Sequence, residues 1–183
     1  HDFFIDMANI YRSIGFLEQA YEKIAHANSL GASKYSNSKI TDSLIDLAQS
    51  YADIGQKEKA AKLLSEALSI ALTNKEAKER VWSRNKIAIS FFKLGQENQA
   101  KQILSDALKL SMNIKDYYQV IITARVGYSD KQVDEKVRDQ KAWLKMGMLL
   151  DVAEAYAIIG QKDEIEEVFS EILKDVEKDG FSR

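Results

Sequence analysis

The chain has 183 residues, 30% of them charged, a net charge of −2, and neither cysteine nor proline. The lack of cysteine excludes disulfides, thiolate catalysis and cysteine-bound metals. The nearly balanced charge argues against a dedicated nucleic-acid binder, and no apolar run approaches the ~20 residues that a membrane span requires.

One short motif recurs along the chain: an aromatic residue, a glycine four positions later and, in the first three copies, an alanine five positions after that. The copies at Tyr11, Tyr51 and Phe91 are 40 residues apart, and a fourth begins at Tyr156, 65 residues after Phe91. Self-similarity of this length indicates stacked structural repeats. The glycines are Gly15, Gly55, Gly95 and Gly160. We expect each to end the first helix of a hairpin in the left-handed conformation.

The hydrophobic spacing predicts a pair of helices in each of the first three units. In chain order these helices cover about residues 1–15, 17–30, 38–54, 57–72, 75–94 and 97–112. Thr73 and Asn74 are expected to cap the third unit. The last unit is predicted to contain helices over 140–159 and 162–176.

The region between the third and the last unit breaks the register. Residues 116–126 contain a β-branched run that periodicity alone does not assign to helix or strand. A helix is favoured because the surrounding sequence is helical. We interpret 114–138 as a degenerate hairpin with a short second helix, and one long helix over 129–159 is the alternative.

The repeated residues resemble those of the tetratricopeptide repeat (TPR). The second unit carries Leu47-Ala48, Tyr51, Gly55, Ala60, Leu64 and Ala67-Leu68, and the third carries Ile87-Ala88, Phe91, Gly95, Ala100, Leu104 and Ala107-Leu108. The 40-residue period exceeds the usual 34, as in the extended repeats of kinesin light chains. The resemblance implies an all-α, right-handed α-solenoid of antiparallel hairpins. We expect one domain of four to five repeats, over about 1–35, 36–74, 75–113, 114–138 and 139–178.

In repeats of this kind the first helices line a concave groove that binds partners. The resemblance places these groove residues at Asn9, Arg12, Gln49, Asp53, Trp82, Asn85, Ile89, Phe92 and Lys93. Trp82, Asn85, Ile89 and Phe92 recur at three- and four-residue steps and share one helical face, separate from the core stripe of the same helix. This face either anchors a peptide or packs against a neighbouring helix.

No catalytic constellation is apparent, so neither an enzyme nor a cofactor is expected. The first hypothesis is a scaffold that binds a protein or peptide segment in the groove. The second is a ligand-sensing domain of a larger bacterial signalling or transcription protein, because the chain begins at His1 without methionine. Self-association through the N-terminal hairpin is a third option. No nucleic-acid partner and no membrane span are expected, and a cytoplasmic location is favoured.

Overall fold

The computed structural model describes residues 3–31, 37–113 and 130–179. Within these ranges the chain forms eight helices and no strand. The helices are α1 (Phe3–Ser13), α2 (Leu17–Ser29), α3 (Asn37–Asp53), α4 (Lys57–Leu72), α5 (Ala77–Lys93), α6 (Glu97–Met112), α7 (Asp130–Ile158) and α8 (Lys162–Asp179). They pair as four hairpins, α1–α2, α3–α4, α5–α6 and α7–α8. The predicted all-α repeat fold is therefore confirmed.

The first helix of each hairpin is called its leading helix, and the second its following helix. Two residues after the last residue of every leading helix stands a glycine with positive φ, for example 79° at Gly55. Gly55 N donates to Ala52 O at 2.9 Å, and Gln56 N donates to Tyr51 O at 2.8 Å. This pair of bonds is the Schellman motif, in which a left-handed glycine satisfies the last helical carbonyls. The other three hairpins repeat it, so the predicted role of the four glycines is confirmed.

Small residues allow the two helices of a hairpin to approach closely. Ala20, Ala60 and Ala100 are completely buried on the following helices, and Leu64 and Leu104 fill the space beside them. Burial of each leucine contributes about 1.5–3 kcal/mol. The buried residues of all four hairpins belong to one continuous core.

The start of α5 differs from the prediction. Thr73 and Asn74 do not cap this helix, because it begins at Ala77 after Glu76. The Asn74 side chain instead accepts a hydrogen bond from Glu76 N at 3.1 Å, within the connector. Asparagine commonly forms such a bond two residues along the chain, which shapes the turn before the helix.

The last hairpin stacks directly on the third, because α7 packs against both α5 and α6. The fourth copy of the motif begins 25 residues later than the 40-residue period predicts, and these 25 residues have two sources. Seventeen residues separate α6 from α7, whereas four separate α4 from α5, and α7 has 26 residues before Tyr156 whereas α5 has 14 before Phe91. The predicted short helix ending near residue 138 is wrong, and the long-helix alternative agrees with α7. Residues 114–129 lie outside the described part of the chain.

Candidate functional site

Successive leading helices lie side by side, and α1 contacts α3, α3 contacts α5, and α5 contacts α7. Residues are called equivalent here when they hold the same position relative to the glycine of their hairpin. Equivalent residues are 40 positions apart in the first three hairpins and 65 apart between the third and the last. This frame separates the side of a leading helix that faces the preceding hairpin from the side that faces the next.

A charged residue at one repeat position points back to the preceding leading helix. Lys86 Nζ lies 2.7 Å from Asp42 Oδ1 and joins α5 to α3. The equivalent Asp46 lies 3.6 Å from Arg12 Nη2 and joins α3 to α1. The two pairs have opposite polarity and share only the repeat position on the later helix, because their partners Asp42 and Arg12 hold different repeat positions. They therefore define the side of each leading helix that faces the preceding one.

Asp151 on α7 is equivalent to Asp46 and Lys86. Burial raises the pKa of Asp151, Lys78 on α5 lowers it, and Glu154 raises it further. Its repeat position, shared with Asp46 and Lys86, assigns Asp151 to the side of α7 that faces α5. The same repeat position thus carries a charge at each of the three contacts between leading helices.

A cleft of about 620 Å³ opens between the first turns of α3 and α5. Its lining residues are Ser38, Lys39, Asp42, Asn74, Glu76, Lys78, Glu79 and Trp82. The lining combines both signs of charge, hydrogen-bonding side chains and one aromatic ring. Such a mixture suits the side chains and backbone of a polypeptide segment better than a purely apolar ligand.

Hydrogen bonds between the walls fix the shape of this cleft. Ser38 Oγ donates to Glu79 Oε2 at 2.7 Å, and Asn74 Nδ2 donates to Ser38 Oγ at 2.9 Å. Arg80 Nη1 donates to the carbonyl oxygen of Asn74 at 2.7 Å. These bonds connect α3, the connector before α5 and α5 itself. A cleft with fixed walls loses less conformational entropy when a ligand binds.

Trp82 stands at the rim of the cleft and is 39% exposed. Lys86 Nζ lies 4.1 Å from the centre of its ring, within the range of a cation–π interaction. Because Lys86 is also bound to Asp42, the tryptophan rests on a fixed ion pair. Partly exposed tryptophans in such settings are typical anchors of protein interfaces.

The nine predicted groove residues differ in accessibility. Five are exposed, namely Asn9, Gln49, Asp53, Trp82 and Lys93, and three are half-buried, namely Arg12, Ile89 and Phe92. Gln49 Nε2 donates to Asp53 Oδ1 at 2.7 Å, so these two residues contact each other. Of the nine, Trp82 alone lines the cleft.

Asn85 is the exception, because it is only 5% exposed and cannot contact a partner from the groove. Its equivalents Ile5 and Ile45 are buried to the same degree. The position lies on the side that faces the next leading helix, to which Asp42 also points. Neither polar atom of the Asn85 amide has a hydrogen-bond partner among the described residues. The prediction of Asn85 as a groove residue is therefore wrong.

A second polar cleft, of about 200 Å³, lies between α2 and α4 and was not predicted from the sequence. Lys59 Nζ lies 2.6 Å from Glu18 Oε1 and 5.1 Å from the ring centre of Tyr51. Burial raises the pKa of Tyr51 to about 12, and its hydrogen bond to Glu18 adds to the shift. The sequence feature that could have indicated this cleft is Tyr51, a tyrosine at the motif position where the third unit has Phe91. Because these groups pair with one another, we assign the cleft to stacking of the hairpins.

Metal or membrane sites are not found in the described ranges. No group of three or more His, Cys, Asp or Glu residues there is arranged to hold a metal ion. None of the helices described combines the length and hydropathy needed to cross a bilayer.

Three features decide the fold: hairpins with a 40-residue period, a Schellman glycine after each leading helix, and buried alanines between the helices. The fold is an all-α stack of helical hairpins. No family model matches the chain, and no curated protein does.

Solved structures similar to this chain include repeat proteins from two organisms. Two crystal structures, one of them of a single-residue variant, show nearly identical TPR-like repeats of a Podosopora anserina protein designated a kinesin light chain. They are 20% and 19% identical, cover 96% of this chain and 93% or 94% of theirs, and have a TM-score of 0.39. BtubC (BKLC) from P. vanneervenii is 15% identical over 92% of this chain and 76% of its own, with a TM-score of 0.40.

Proposed function

We propose that this TPR-like chain is an interaction module that binds a segment of another protein along its leading helices, with Trp82 as the anchor. The observation that supports this proposal is the partly exposed Trp82 at the rim of a 620 Å³ cleft with hydrogen-bonded walls. TPR-like repeats commonly serve as scaffolds for protein interactions, which agrees with a polypeptide ligand.

Two carboxylates on α3 are paired with cations within the protein. Asp42 binds Lys86, Asp46 binds Arg12, and Asp53 accepts from Gln49. Gln49 is neutral, so its hydrogen bond leaves the charge of Asp53 uncompensated. We expect the partner to bind through an apolar side chain on Trp82 and hydrogen bonds to the cleft.

The test compares two tryptophan variants in affinity capture from a native lysate. Trp82→Ala is expected to lose the captured partner, because truncation of an anchoring tryptophan typically costs about 2 kcal/mol or more of binding free energy. Trp143→Ala is the matched control, since Trp143 on α7 is 63% exposed. We expect it to capture as much partner as the wild type. Thermal melting of both variants is expected to stay near that of the wild type.

Two outcomes would contradict this function. The first is undiminished capture by Trp82→Ala, and the second is an equal loss in both variants. A large fall in melting temperature of Trp82→Ala would instead assign the ring to the core. A direct measurement uses Trp143→Phe, in which Trp82 is the sole tryptophan of the chain. Addition of the captured partner should then shift its fluorescence emission.

A further inference from the structure

A third polar cleft, of about 350 Å³, opens between the following helices α6 and α8. It is lined by Tyr156 at the end of α7, which is equivalent to Tyr51 in the smaller cleft between α2 and α4. Helix α8 contributes Glu164 and Glu167. Because both clefts lie between following helices of successive hairpins, they can be compared position by position.

The smaller cleft holds a cation that belongs to the chain itself. Lys59 Nζ lies 2.6 Å from Glu18 Oε1 and 5.1 Å from the centre of the Tyr51 ring. Glu18 is also hydrogen-bonded to the Tyr51 hydroxyl. A lysine ammonium therefore sits beside a carboxylate and a tyrosine at this repeat position.

The larger cleft has the opposite charges at the equivalent positions of its later helix. Lys59 and Lys62 of α4 are replaced on α8 by Glu164 and Glu167, and the neutral Asn98 of α6 stands where the smaller cleft has its carboxylate. The chain thus supplies no lysine at the position of Lys59. The cleft without this lysine is also the more spacious, at 350 Å³ against 200 Å³.

The Tyr156 hydroxyl is a polar group without a partner inside this cleft. The residue is only 3% exposed, and its hydroxyl has no hydrogen bond to any described residue. Burial raises the pKa of Tyr156 to about 12, and the charges of Glu164, Glu167 and Asp106 add to the shift. The charged groups that act on the hydroxyl are all carboxylates, so the cleft favours a positive ligand beside it.

Helix α6 also brings two lysines to the cleft, but each lies beside a carboxylate of its own helix. Lys101 Nζ is 3.1 Å from Glu97 Oε1, and Lys109 Nζ is 3.5 Å from Asp106 Oδ1. The two glutamates of α8 have no ion pair within the described part of the chain. The groups that remain to be satisfied are therefore hydrogen-bond acceptors.

We propose that the cleft between α6 and α8 binds an alkylammonium group, of the kind that a lysine side chain of another polypeptide presents. An ammonium has three N–H donors and no acceptor. The Tyr156 hydroxyl oxygen and the carboxylates of Glu164 and Glu167 supply three acceptors, and bonds of this charge-assisted kind are the strong ones. The bound ammonium takes the place that Lys59 takes in the smaller cleft.

The experiment is an NMR titration of the ¹⁵N-labelled chain in low-salt buffer with two end-blocked tripeptides. One is Gly-Lys-Gly, and the other has the uncharged norleucine in place of the lysine. The lysine peptide should shift amide signals of α6 and α8 in a saturable way, and the norleucine peptide should not. Pentylamine is titrated in parallel. Equal affinity for pentylamine would assign the site to small amines, and tighter binding of the peptide would assign it to lysine within a polypeptide.

Substitutions in the cleft test which groups hold the ammonium. Glu164→Gln should weaken binding of the lysine peptide about tenfold or more, the typical cost of a lost hydrogen bond to a charged group. Tyr156→Phe should cause a smaller loss and keep the fold, because the third hairpin has Phe91 at this position. Glu166→Gln is the matched control, since Glu166 is an exposed glutamate of α8 outside the cleft, and it should bind like the wild type.

Three results would overturn the proposal. One is an equal response to the lysine and norleucine peptides. Another is the lack of a saturable shift with both the lysine peptide and pentylamine. The third is an equal loss in Glu164→Gln and Glu166→Gln, which would indicate general attraction to an acidic helix. Trp82 does not line this cleft, so Trp82→Ala should bind the lysine peptide normally, and failure of the proposed groove function would remain distinguishable. Circular dichroism verifies that each variant keeps its helical fold.

Discussion

The contacts α3–α5 and α5–α7 are the same joint of one repeat, built with different chemistry. In the α3–α5 joint the packed position on the later helix is Ser83, the buried residue on the earlier helix is Ile45, and the Lys86–Asp42 ion pair lies at the edge. The small serine and the paired edge accompany the cleft that Trp82 borders.

The α5–α7 joint has Met148 at the packed position and Asn85 where Ile45 stands in the earlier joint. Its edge carboxylate, Asp151, has a raised pKa because burial outweighs the attraction of Lys78. The difference shows that one helix-stacking geometry accepts serine with isoleucine in one joint and methionine with asparagine in the next, and that the α3–α5 joint has an ion pair at its edge.

The largest expected effect comes from truncating Met148, the buried side chain of α7 in the α5–α7 joint. Met148→Ala should lower the free energy of unfolding by about 2–5 kcal/mol, because it removes a fully buried side chain and leaves a cavity. Urea denaturation measures the loss. Ile158→Ala on the same helix is the control, because Ile158 is 51% exposed and such changes usually stay within about 0.5 kcal/mol. Equal small losses would show that α7 is not packed on α5 through Met148.

A substitution at Asn85 should have the opposite effect and increase the stability of the α5–α7 joint. Asn85→Leu replaces an amide that has no partner among the described residues by an apolar side chain of similar branching, as the equivalent positions have. It should raise the free energy of unfolding by about 1–3 kcal/mol, the usual cost of an unsatisfied buried polar group. Ser90→Leu, at a half-buried position of the same helix, is a control for added hydrophobicity. If Asn85→Leu destabilised the protein and Ser90→Leu did not, the amide would be needed for the joint.

The sequence was sufficient to predict the hairpins, because their determinants are local. The glycine that ends each leading helix and the alanine that follows it occupy fixed positions, and α4 and α6 begin and end where predicted. The stacking of the last hairpin was not predictable in this way. Its additional residues lie partly in the connector before α7 and partly in a lengthened α7. Periodicity alone does not distinguish this arrangement from an additional repeat.

The candidate site was predictable only in part. Trp82 was identified because its three- and four-residue spacing from Asn85 and Ile89 places it on a helical face outside the core stripe. A leading helix has two neighbours, however, and the same spacing describes the side that faces the next helix and the side that faces the groove. Asn85 was therefore misplaced, since an amide is usually expected at the surface. The bonds that shape the cleft join residues as far apart as Ser38 and Glu79, which no local pattern reveals.

The smallest expected effect concerns the ion pair at the edge of the α3–α5 joint. A double-mutant cycle with Asp42→Asn and Lys86→Met should give a coupling energy of about 0.2–1 kcal/mol, because both groups are about one-third exposed. The coupling should decline as salt is added. The Arg12–Asp46 pair, at 3.6 Å, should give a smaller value in a parallel cycle. A coupling near zero that ignores salt would remove the ion pair as a determinant of the joint and, with it, the fixed support beneath Trp82.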